Sequence, residues 1–88
     1  MFRLWGKIIK NNKIIKDTVA EFDSDDMSRT KKVFAGLEQI CHEFDLSVPI
    51  WLDSNITEFK RFSRTNFASD NFIEDVDFDR LEIQIIEE

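Results

Sequence analysis

Opposite charge at the two ends of the chain constrains its folding more than any other feature. Residues 1–16 carry five cations and no acid, whereas residues 65–88 carry eight carboxylates and one arginine. Both stretches also have strand character. Arg3, Lys7, Lys10, Lys13 and Lys16 punctuate the apolar residues of FRLWGKIIKNNKIIK, and Glu82, Glu87 and Glu88 punctuate LEIQIIEE. Opposite charges across neighbouring strands stabilise a sheet and like charges oppose it. The two ends are therefore predicted to lie side by side in one sheet.

Residues 2–10 and 13–22 read as a hairpin about Asn11-Asn12, because asparagine tolerates the positive φ of a two-residue primed turn. With that turn, Ile8 is predicted to face Ile15 and Leu4 to face Val19 on the buried side. On the other side Trp5 meets Thr18, Lys7 meets Lys16, and Ile9 meets Ile14. The Lys7–Lys16 pair is a like-charge conflict that Glu82, on a neighbouring strand, would relieve.

DSDD at 23–26 signals a helix start, with Asp25, Asp26 or Ser28 as the cap. Val33, Phe34, Leu37, Ile40, Cys41 and Phe44 then form one apolar stripe at three- and four-residue spacing. The charges of this helix oppose its dipole: Arg29, Lys31 and Lys32 come first, Glu43 and Asp45 last. Pro49 keeps Val48 out of helical geometry, so the helix ends before it. Asn55-Ile56-Thr57-Glu58 has the form of a capping box opening a short helix through about Arg64. Residues 76–86 alternate as a strand, with a phase slip near Arg80 read as a bulge or bend.

Composition narrows the class. Eighty-eight residues make a single domain, 1–88, with one modest core. No apolar run approaches the ~20 residues needed to cross a bilayer. The N-terminus lacks the uninterrupted apolar core of a signal peptide, and the single Cys41 fits a reducing cytosol, so a cytoplasmic location is expected. The net charge of −6 disfavours general binding to nucleic acid or anionic lipid.

No motif carries chemistry. Asp75, Asp77 and Asp79 match the first positions of a calcium loop, but Arg80 stands where the turn demands Gly and Ile86 where it demands Glu. Cys41 and His42 are adjacent on a helix, about 100° apart, and cannot share a metal or form a nucleophile–base pair. Buried, close carboxylates such as Asp53 and Asp70 around a cleft would be needed to argue for an enzyme. Catalytic, metal and cofactor-binding residues are accordingly none, and the chain reads as a non-enzyme.

Two surfaces remain. Trp5, Ile9 and Ile14 would make an apolar patch on the open sheet face, suited to a protein partner or a homo-oligomer. Lys60, Arg61 and Arg64 beside Phe62 make a small basic-aromatic patch that could meet phosphate and stack a base.

The segments PIWLDSNITEFKRF, SDNFIE and FDRLEIQIIEE resemble short bacterial proteins of under a hundred residues without an assigned function. The resemblance covers most of the chain and implies a free-standing cytosolic bacterial domain, with no activity, ligand or site residues.

The resulting expectation is an α+β fold: an N-terminal hairpin and a C-terminal strand in one antiparallel sheet. A long amphipathic helix and a short second helix would cover one face. The predicted core is Leu4, Ile8, Ile15, Val19, Phe34, Leu37, Ile40, Cys41, Phe44, Leu81, Ile83 and Ile85. Function is expected to be protein interaction or self-association, with nucleic-acid or nucleotide binding as the alternative.

Overall fold

Hydrophobic alternation at both ends of the chain produces a four-stranded antiparallel sheet in the order β2-β1-β4-β3. The computed structural model describes residues 1–23 and 25–88, so Ser24 of the helix-start signal lies outside the described residues. The strands are β1 (Phe2–Lys10), β2 (Lys13–Phe22), β3 (Arg64–Phe67) and β4 (Arg80–Glu87), and the helices are α1 (Arg29–Glu43) and α2 (Asp53–Phe62). The two oppositely charged ends are hydrogen-bonded neighbours: Lys7 stands opposite Glu82 and Leu4 opposite Ile85. This is the predicted α+β architecture with one strand more than expected. Residues 64–67 form β3, which begins at about the point where the second helix is predicted to end.

The hairpin turns as expected, with φ of 53° at Asn11 and 63° at Asn12, and Ile9 pairs Ile14. Beyond that pair the register shifts. Ile8 faces Lys16, so Ile15 is the extra residue of a bulge. Every later partner on β2 moves by one, and a one-residue shift exchanges the faces of a strand. Leu4 faces Ala20 rather than Val19, Trp5 faces Val19 rather than Thr18, and Lys7 faces Asp17 rather than Lys16. Ile15 and Val19 thus leave the predicted core, and Ala20 enters it. The like-charge conflict vanishes, because Arg3–Glu21 and Lys7–Asp17 become opposite-charge partners.

One sheet face carries Leu4, Gly6, Ile8, Ala20, Thr65, Phe67, Leu81 and Ile83, all buried, with α1 lying across β1 and β2 and α2 against β3. Val33, Leu37, Ile40 and Cys41 of the predicted stripe face this layer; Phe34 does not. Phe2, Phe59, Phe72 and Phe78 complete the core, and Phe44 and Ile85 pack at its margin. Ser28 caps α1, its Oγ accepting from the Lys31 N–H at 3.2 Å. The phase slip near Arg80 marks the start of β4 rather than a bend within it, since the strand runs from Arg80 to Glu87.

The second helix begins three residues earlier than the capping-box pattern implies. Leu52 is its N-cap, and Asn55, inside the first turn, is buried. The Asn55 side chain accepts from the Leu52 N–H at 3.1 Å and donates to Thr65 Oγ1 and the Asn66 carbonyl. Asn71 donates to Asn55 Oδ1 and the Ile50 carbonyl and accepts from the Ala68 N–H. Two buried amides thereby tie segment 50–52, α2 and β3 together, each satisfied as burial requires.

Candidate functional site

The aromatic residues decide where the surface is unusual. Trp51 lies between α1 and α2 with three phenylalanines around it. Phe34 of α1, Phe59 of α2 and Phe67 of β3 meet its ring at 5.7, 5.6 and 5.1 Å between centroids, each nearly perpendicular. Edge-to-face contacts at such distances add stability beyond area burial. Phe59 and Phe67 are buried, but Phe34 is 51% exposed. A residue that helical periodicity assigns to the core therefore stands at the surface, held against a half-buried tryptophan.

Between these rings opens an apolar groove of about 200 Å³. Helix α1 contributes Arg29, Thr30, Val33 and Phe34; the second wall is Trp51, Ile56, Phe59 and Lys60. Among the described residues that line it, the ionisable side chains are two cations, Arg29 and Lys60, and none is an acid. Ile56 is 40% exposed beside it. The volume falls below the ~300–1,000 Å³ usual for small-molecule pockets, a size that suits one or two protein side chains. The Trp51 Nε1 atom is sealed from solvent and meets no acceptor among the described residues.

The residues singled out from the sequence do not gather there, apart from Lys60. Ile9 is 6% exposed, and the Trp5 indole donates to Asp17 Oδ2 at 2.9 Å while Lys7 Nζ stands 3.9 Å over its ring. Only Ile14, 53% exposed near the hairpin tip, presents open apolar surface from that trio. The open sheet face is instead a polar lattice: Lys7 pairs Glu82 at 2.7 Å and Arg3 pairs Glu21 at 2.9 Å. Lys60, Arg61 and Arg64 are exposed, Arg61 lying 5.6 Å from the Phe62 ring and Arg64 on the edge strand β3.

Asp53 and Asp70 are exposed, and among the described residues no group of three or more His, Cys, Asp or Glu could hold a metal ion. Asp79 serves the hairpin, its Oδ2 accepting from the Asn11 N–H at 2.8 Å. Cys41 is wholly buried, and desolvation, with Glu74 adding to it, pushes its thiol up to about 12. Such a thiol is inert as a nucleophile. His42 borders a shallow depression with Phe22, Ala35, Glu38 and Gln39, where no nucleophile accompanies it.

The groove was hidden from sequence reasoning because Phe34 obeys the stripe's periodicity. No local signal separates it from the core, since the adjacent Ile40 and Cys41 of the same stripe are both fully buried. Among the described residues no helix is long and apolar enough to cross a membrane. No protein family, curated protein or solved structure matches the chain, in keeping with a resemblance that brings no activity with it.

Proposed function

We propose that the chain is a non-enzymatic protein-interaction module whose contact surface is the groove between α1 and α2. The half-exposed Phe34 against Trp51 carries this reading. An aromatic ring left in water beside the exposed Ile56 costs free energy that a partner recovers by covering both. Aromatic and arginine side chains also dominate interface energetics, and here Phe34, Trp51 and Arg29 stand together. Affinity capture with the wild-type chain and with Phe34→Glu as baits tests it. The expected result is a partner retained by the first and lost by the second; an identical set on both baits ends the reading.

Self-association is the second form of the same class. Strand β2 is a sheet edge, and Ile14 and Ile15, 53% and 50% exposed, favour edge pairing between two copies. Sedimentation equilibrium at micromolar concentration distinguishes the two, since edge pairing gives a dimer that Ile15→Lys dissolves and Phe34→Glu does not. Nucleic-acid binding through Lys60, Arg61 and Arg64 has the exposed Phe62 in its favour. It requires a salt-dependent mobility shift with single-stranded RNA, and none at low salt removes it.

A further inference from the structure

We infer that the α1/α2 groove takes an acidic segment of a partner protein, anchored by one bulky apolar side chain, and that Glu88 holds the place of that partner's carboxylate in the free chain. The inference rests on the groove being the docking surface. Its apolar walls require an apolar anchor, and its volume of about 200 Å³ limits that anchor to a side chain or two. Both of its ionisable residues are cations, although the chain as a whole carries −6. Charge complementarity then selects acidic segments and rejects basic ones. A second copy, bringing −6 against −6, is the occupant that repulsion most disfavours.

Glu88 supplies the decisive contact. Arg29 Nε lies 2.7 Å from Glu88 Oε1, its Nη2 donates to Ser63 Oγ at 3.1 Å, and its guanidinium carbon stands 5.9 Å from the centroid of the Phe59 ring. The guanidinium is thereby oriented at the groove with a carboxylate already on it. Arg29 and Glu88 side chains are about half exposed, at 46% and 52%, and pairs so exposed exchange readily. Lys60, across the groove, has no ion-pair partner among the described residues. An incoming acidic segment would displace Glu88 from Arg29, engage Lys60, and seat its apolar side chain against Phe34 and Trp51.

The test pans a phage library of random twelve-residue peptides on the full chain and measures recovered peptides by fluorescence anisotropy. Recovered sequences should be rich in Asp and Glu around Phe, Leu or Trp. Their affinity should fall on the order of tenfold with Phe34→Ala. It should also fall with Lys60→Glu or added salt, and rise about two- to fivefold with Glu88→Gln, the range an exposed ion pair spans. Phe34, Lys60 and Glu88 are all exposed, and unchanged thermal melts confirm that the variants fold. Neutral or basic peptides that still depend on Phe34 overturn the acidic class and leave the docking surface standing. Peptides indifferent to Phe34→Ala, or no recovered peptide at all, overturn both. Acidic peptides whose affinity is unmoved by Glu88→Gln overturn the role given to Glu88.

Discussion

Single residues here are governed by what burial does to polar and ionisable groups. Lys7 is 8% exposed, with Glu82 at 2.7 Å and the Trp5 ring beneath its ammonium. Removing one member of a buried pair strands the other charge, so Glu82→Gln should cost about 2–3 kcal/mol in urea unfolding. The double variant Lys7→Met, Glu82→Leu should recover most of that loss. Cys41 yields a second prediction. Its folded pKa, pushed up to about 12, exceeds the unfolded value of 9.0, so above pH 9 the unfolded chain releases a proton that the folded chain retains. Stability is intact below pH 9 and should fall through the window from 9 to 12 with a slope of up to about 1.4 kcal/mol per pH unit. Cys41→Ala should remove that slope while lowering stability at neutral pH. Thiol reagents should react with the wild-type chain only as it unfolds.

At the scale of elements, the ends of α1 are set by contacts that its own charges do not supply. Glu88 lies against Arg29 at its start, and Glu43 Oε2 accepts from Thr18 Oγ1 at 2.6 Å at its end. These counter a charge order that opposes the helix dipole. The helix closes with a reverse turn: Leu46 N–H donates to the Cys41 carbonyl at 2.8 Å and Asp45 N–H to that of His42 at 3.2 Å. Asp45 holds φ at 58°, a left-handed position that glycine occupies without strain. Asp45→Gly should therefore raise stability by about 1 kcal/mol, read as a higher urea midpoint at unchanged slope. Strand β3 escaped sequence reasoning because four residues are too short to show a period. Its place depends on Asn55 gripping Thr65 and Asn66. The bulge at Ile15 escaped because Ile14 and Ile15 suit either face.

The whole molecule is held together by close approach of α1 to the sheet. A methyl group on Gly6 would come within 2.5 Å of Ile40 Cγ2, and one on Gly36 within 2.9 Å of Leu4 Cδ2. Each glycine admits a side chain from the opposing layer, and together they set how near helix and sheet lie. Gly6→Ala should push α1 outward and destabilise by about 1–3 kcal/mol, as overpacking does, lowering the thermal midpoint. Because α1 forms one wall of the groove, the same variant should weaken any ligand that depends on Phe34.

What the sequence determined by itself is the pairing of its ends, the Asn-Asn turn, the span of α1 and half of the core: Leu4, Ile8, Leu37, Ile40, Cys41, Leu81 and Ile83. These follow from charge, φ preference and hydrophobic period, which act locally or between a few strands. Only the tertiary structure decided the register beyond Ile9, the use of residues 64–67 as an edge strand, and the exposure of Phe34. Each is a choice between alternatives that local pattern leaves equal, settled by which side chains the opposing layer can accommodate. The groove exists for that reason: α1 offers more apolar surface than the sheet can cover, and the excess faces outward beside Trp51.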